Sequence, residues 1–200
     1  MFFYKQFLPL LFLVFSCKEP SDSVESKRKY HSIHQEAKTF CERNGMNQKL
    51  YFLVDMSIHS GKNRFFVMDL NDQKVIEQGL VTHGACDVYE SNSNKHKIPK
   101  FSNRDGSHCS SLGKYKIGKR EYSSWGINVK YWLHGLETSN SNAEKRVVVL
   151  HSWGAVQDFE IYPLYSPLSW GCPAVSNDFM HRLDVLLKKT SKPVLLWIVN

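Results

Sequence analysis

The chain has 200 residues, of which 42% are hydrophobic and 22% charged, with a formal net charge of +7. A basic excess suits anionic partners such as cell-wall polymers or lipid head groups. Nucleic acid is the competing partner, but the basic residues are scattered and form no nucleic-acid-binding motif, so none is expected.

The first sixteen residues carry one charge, Lys5, and the stretch from Phe7 to Phe15 is almost wholly apolar. It is shorter than the roughly 20 residues a membrane-spanning helix needs, and it reads as a secretory signal over residues 1–16. Leu13-Val14-Phe15-Ser16-Cys17 resembles a bacterial lipobox, in which the cysteine is acylated and becomes the first residue of the mature protein. An uncleaved anchor or a plain signal peptide is the other reading. Two or three acyl chains on Cys17 hold a protein stably on a membrane, whereas one binds only marginally. The expected location is therefore the membrane face of the periplasm or cell envelope. Residues 17–27 are polar and rich in Ser, and read as a lipidated tether. Residues 28–200 are then about one domain's worth of chain, with no required protein partner evident.

Tyr30, Ile33, Ala37, Phe40 and Cys41 recur at helical spacing, and Gly45 supplies a stop, so a helix is expected over residues 28–44. Strand signals follow at residues 50–54, and a hairpin is expected from 64–70 and 74–81 around the Asn71-Asp72 turn. Residues 84–109 are rich in Ser, Asn, Lys and Asp without periodicity, a long loop of the kind that is usually functional or mobile. Strands are expected at 112–117 and 128–133. Lys145 to Leu150 reads as a central strand buried on both faces, delivering His151 at its end. Ser176 or Asn177 can cap a helix with the stripe Phe179, Leu183, Leu186 and Leu187, and a last strand runs from Val194 to Val199. The fold class is mainly β, a sandwich or partly closed barrel with a helix near each end of the domain.

Beyond Cys17, the cysteines are Cys41, Cys86, Cys109 and Cys172. An exported protein can form disulfides, and Cys86 with Cys109 is the pair to suspect, because both border the long loop. No CxxC or HExxH is present, so no metal site and no cofactor are expected. Cys172 lies in Ser169-Trp170-Gly171-Cys172-Pro173, with His151 upstream. A thiol is mostly protonated at neutral pH, and a nearby imidazole can take its proton and leave a strong nucleophile. Taken singly, Cys172 is equally a small buried hydrophobe and His151 a hydrogen-bonded strand-end residue.

Four segments in order resemble a known family, the murein L,D-transpeptidase catalytic domain in its YkuD-like branch. Ser111-Leu112-Gly113-Lys114-Tyr115-Lys116-Ile117 is similar to the family's strand opening. Val147-Val148-Val149-Leu150-His151-Ser152 is similar to its strand ending in the catalytic histidine. Ser169-Trp170-Gly171-Cys172 is similar to its nucleophile turn, with 17 residues between His151 and Ser169. Phe101-Ser102-Asn103, Ser110-Ser111-Leu112-Gly113, Gly135-Leu136-Glu137, Asn142-Ala143 and Arg146 resemble the branch further. Two positions depart from the better-studied members. Trp170 stands where they carry His, and Ala174 where they carry Arg or Asn.

The resemblance implies a cysteine acyl transfer on peptidoglycan stem peptides, at the bond between the third residue and D-Ala. Cys172 is then the nucleophile and His151 the base. The Ser152 carbonyl orients the imidazole, and the Gly171 and Cys172 N–H groups are oxyanion donors. Ser169, Trp170, Ser110, Ser111 and His83 are the expected substrate-binding residues. Passing the thioester to an amine makes a cross-link, and passing it to water makes the enzyme an L,D-carboxypeptidase. A non-catalytic wall-binding lipoprotein is the reading from another class. Papain-like proteolysis fits poorly, since His151 precedes Cys172, and the caspase Gln-Ala-Cys signature is missing.

Overall fold

The computed structural model describes Met1 and residues 21–200, with side chains from Lys29 onward. The signal segment and the lipidation expected at Cys17 lie outside the described residues. Helix α1 spans Ser21–Arg43, starting inside the stretch read as tether. Gly45, at φ +63°, ends the helix as its stop signal predicts.

Eight strands follow: β1 Leu50–Asp55, β2 Phe65–Asp69, β3 Val75–Gly79, β4 Gly113–Tyr122, β5 Val129–Gly135, β6 Val149–Ser152, β7 Ala174–Val175 and β8 Leu195–Val199. Helix α2, Asn177–Lys188, lies between β7 and β8. They form one sheet in the order β3-β2-β1-β8-β4-β5-β6-β7. β1 and β8 run parallel, as do β6 and β7, and the other pairings are antiparallel.

Strand alternation divides the apolar residues between two cores. Phe52 and Val54 of β1, with Leu196 and Ile198 of β8, face the main core, which α2 covers with Phe179, Met180, Leu183 and Leu187. Tyr51, Leu53, Leu195 and Trp197 face the opposite way, against Ile33, Ala37 and Cys41 of α1. The central strands are thus buried on both faces, which is why they read as continuous apolar runs. Ser176 caps α2 by accepting from the Phe179 N–H at 3.0 Å.

The two edges of the sheet meet. Residues 80–85, which continue from β3, lie along residues 169–174, which lead into β7. Ser169 N–H donates to the His83 carbonyl (2.9 Å), Ala85 N–H to the Ser169 carbonyl (2.9 Å) and Thr82 N–H to the Ala174 carbonyl (2.9 Å). This seam turns an open sheet into a nearly closed barrel, and it runs through the Cys172 turn.

One element differs from its expected form. Residues 145–147 are a turn, and β6 begins only at Val149. Val147 has φ +54°, a conformation that β-branched residues rarely adopt. The turn carries Arg146 back toward residues 102–111, where it is hydrogen-bonded to Ser102, Cys109 and Ser111. That requirement overrides the strand preference of Val147.

Candidate active site

β6 delivers His151. Its register pairs His151 with Lys130 on β5 and with Ala174 on β7. The histidine thus lies across from the residue two beyond Cys172. The imidazole Nδ1 is 3.0 Å from the Ser152 carbonyl oxygen. A carbonyl can only accept, so Nδ1 carries the proton and Nε2 is left as the basic nitrogen. Burial holds the ring below the ordinary imidazole range, with the Ser152 bond opposing in part. His151 is therefore neutral at pH 7.

The Cys172 sulfur lies between two backbone groups of one turn. Val149 N–H donates to it (3.4 Å), and its own S–H points to the Val147 carbonyl (3.6 Å). The β6–β7 ladder pairs only His151 and Ser152 with Ala174 and Val175, so it does not reach Val149, whose N–H is left to the sulfur. Burial pushes the thiol above its ordinary value. The Val149 N–H, the Arg146 guanidinium and the Lys130 ammonium pull the other way. A raised thiol beside a lowered imidazole means that both groups rest uncharged at neutral pH.

Cys172, His151, Ser169, Trp170, Leu168, Ala174, Trp125 and Trp153 line one cavity of about 360 Å³. Three tryptophans make its walls predominantly aromatic, and among the described residues no acidic side chain lines it. Trp125 lies near His151 (centroids 6.4 Å apart) and edge-on to Trp153 (5.9 Å). Trp170 is 77% exposed and stacks flat on His108 at 4.7 Å. Trp170 therefore belongs to the cleft rather than to the core.

A buried scaffold holds the nucleophile turn. Gly171 sits at φ +110°, with the Cys109 carbonyl where a Cβ would stand, 2.5 Å away. Only glycine fits there. Arg146 bonds the Cys109 and Ser111 positions under the turn. Cys86 and Cys109 form a disulfide, so the pair suspected from the loop is the pair observed. Thr82 Oγ1 donates to the Cys172 carbonyl (3.1 Å) and accepts from Ala174 N–H (3.0 Å), flanking the nucleophile on both sides.

Several expected site residues lie elsewhere. The His83 ring is buried away from this cavity, with Nδ1 accepting from Arg64 (2.9 Å) and Nε2 donating to the Lys95 carbonyl (2.6 Å). Ser110 Oγ donates to the Gly171 carbonyl (3.3 Å) and accepts from Gly84 N–H (3.0 Å). Ser111 Oγ donates to the Ser102 carbonyl (2.9 Å). Both serines sit beneath the turn, not on the cavity wall. Gly171 N–H donates to Ser169 Oγ (3.1 Å), so it is not a free oxyanion donor. The Ser152 hydroxyl accepts from Ile127 N–H (2.9 Å), so only its carbonyl faces the imidazole. Thr82, Trp125, Trp153 and Leu168 escape sequence reading, since none belongs to a motif and Thr82 is 90 residues from Cys172. Among the described residues, no group of three or more His, Cys, Asp or Glu could hold a metal ion.

The family model for the L,D-transpeptidase catalytic domain matches residues 24–196. The chain belongs to that family. No curated protein sequence matches it. Among solved structures, it is similar to the helical cell shape determining protein Pgp2 from Campylobacter jejuni, at 10% identity and a TM-score of 0.47, covering 74% of this chain and 46% of that one. It is also similar to an L,D-transpeptidase from Xylanimonas cellulosilytica DSM 15894, at 12% identity and a TM-score of 0.42, covering 74% and 59%. A third similar structure is the Ldtfm-avibactam carbamoyl enzyme, at 12% identity and a TM-score of 0.44, covering 77% and 50%. The chain thus spans about half the length of these structures. Within this L,D-transpeptidase-family domain, Cys172 and His151 occupy the same cavity.

Proposed function

We propose that this L,D-transpeptidase-family protein modifies peptidoglycan, with Cys172 as the nucleophile of an acyl transfer on stem peptides. The observation that carries the reading is the shared cavity of Cys172 and His151, with His151 Nδ1 engaged by the Ser152 carbonyl. Nε2 accepts the thiol proton as sulfur attacks the amide carbonyl between the third residue and D-Ala. The tetrahedral oxyanion is held by the Cys172 N–H. As the C–N bond breaks, His151 returns the proton to the departing D-Ala amine, leaving a thioester. Val149 N–H stabilises sulfur whenever it carries negative charge, at the start and again when the thioester is cleaved.

The acceptor decides the product, an amine giving a cross-link and water giving a trimmed stem. Muropeptides incubated with the full chain and read by mass spectrometry separate the outcomes. D-Ala release without dimers means hydrolysis, and new dimers mean transpeptidation. Unchanged muropeptides would overturn catalysis and leave a wall-binding role. Cys172→Ala is expected to abolish the reaction while keeping the fold. D-Ala release at the wild-type rate from that variant would overturn the mechanism.

We also propose that Cys17 is acylated and holds the domain at a membrane of the cell envelope, on the strength of the lipobox-like Leu13–Cys17 segment.

A further inference from the structure

A second cavity, of about 250 Å³, shares no lining residue with the Cys172 cavity. Among the described residues its lining includes Arg64, His59, His83, Ser60, His96, Lys97 and Asn200 and no acidic side chain. Arg64 is 1% exposed and has no carboxylate within ion-pair distance among the described residues. Its Nε and Nη2 donate to the Val81 carbonyl (3.1 and 2.8 Å), Nη2 also to His83 Nδ1 (2.9 Å), and Nη1 to the Ile58 carbonyl (3.3 Å). A guanidinium has five N–H groups, so one Nη1 hydrogen has no partner. Burial lowers the Arg64 pKa to about 9, with Asp55 at longer range opposing, and the group still carries its charge at pH 7.

Two further donors converge there. Ser60 is 3% exposed, and its hydroxyl has no hydrogen-bond partner. Buried polar groups are nearly always satisfied, so an unpartnered hydroxyl on a cavity wall marks a place for an absent acceptor. His59 Nδ1 accepts from Gly61 N–H (3.0 Å), which puts its proton on Nε2. The His59 ring is fixed against Tyr162 (5.0 Å) and Tyr165 (4.3 Å). A buried unpaired cation and donors without acceptors together define the chemistry of the missing partner.

We propose that this cavity is an oxyanion-binding site that takes a carboxylate or a phosphate group on Arg64, Ser60 and His59, with Lys97 attracting the anion from outside. The site is separate from the Cys172 cavity and does not depend on the reaction proposed there.

Calorimetric titration of the full chain tests it, with inorganic phosphate and sodium acetate as probes against sodium chloride at matched ionic strength. One saturable site is expected for at least one of the two oxyanions and none for chloride. Phosphate alone saturating identifies a phosphoryl ligand, and acetate saturating identifies a carboxylate. Ser60→Ala removes no existing side-chain bond, so the fold is kept, and affinity is expected to fall about tenfold, the size of one hydrogen bond to a charged group. Lys97→Gln should weaken binding and flatten its salt dependence. Failure of both oxyanions to saturate, or unchanged affinity in Ser60→Ala, would overturn the proposal and leave a water-filled cavity.

Discussion

The two reacting side chains begin uncharged, and that fixes how the chemistry responds to pH. The lowered pKa of His151 keeps its base form present at neutral pH and lost only as pH falls below the ordinary imidazole range near 6.5. The acid limb of kcat/KM is therefore expected below pH 6.5. The raised thiol means that alkylation of free enzyme by iodoacetamide should keep accelerating above pH 9. A thiolate plateau at pH 6–7 would instead show a standing thiolate–imidazolium pair. Cys41, buried on the inner face of α1 with its thiol pushed up to about 11, should stay unlabelled in the native state while Cys172 reacts. At this scale the sequence was readable where a motif carried the residue. Cys172, His151 and Ser169 meet in one cavity, as their spacing suggests. His83, which could line the cleft or simply end a strand, lines the other cavity, and a histidine before glycine does not say which way its ring turns. Its buried bond to Arg64 decides that.

Elements explain what the motif leaves out. The nucleophile turn is not a rigid loop by itself, and three neighbours hold it: the Thr82 hydroxyl, the Arg146 guanidinium and the disulfide-closed loop. Thr82→Val keeps the shape and removes both hydrogen bonds, leaving the Cys172 carbonyl and Ala174 N–H without those partners. A loss of about 1–3 kcal/mol in stability is expected, read by urea unfolding, with kcat falling more than KM rises. The Cys86–Cys109 bridge closes a loop with sequence separation 23. Chain entropy alone makes such a closure worth about 3 kcal/mol. Replacing both cysteines by serine should cost about that much in urea unfolding and lower activity with it, because the Cys109 carbonyl abuts Gly171. Helix and hairpin periods made most elements legible in advance. The exception, the turn at 145–147, follows from a long-range demand: Arg146 has to reach residues 102–111, and no local propensity records that.

Across the whole molecule, acid stability rests on a few buried carboxylates. Asp184 on α2 accepts from Arg120 (2.7 Å), from the Tyr131 hydroxyl (2.7 Å) and from Lys188 (2.7 Å), tying the helix to β4 and β5. These partners outweigh burial and hold the Asp184 carboxyl well below its ordinary range. A lowered carboxylate contributes stability above the unfolded value near 3.9, and that contribution is lost as pH falls toward the folded value. Unfolding midpoints should therefore drop between pH 5 and pH 2. Asp184→Asn should show a smaller drop and a loss of about 1–3 kcal/mol at pH 7, moderated because Arg120 and Lys188 are partly exposed. Fractionation tests the anchoring: Cys17→Ser is expected to move the protein from the membrane to the soluble fraction, and an unchanged distribution would point to an uncleaved apolar anchor. Among the described residues, no helix is long and apolar enough to cross a membrane. The seam between residues 80–85 and 169–174 has a dynamic counterpart. A barrel closed by a few backbone bonds parts most easily where it was joined, so local opening should begin beside Cys172. The amides of Thr82, Ala85 and Ser169 should then exchange with deuterium before those of β1 and β8, and substrate entry would share a path with the first step of unfolding.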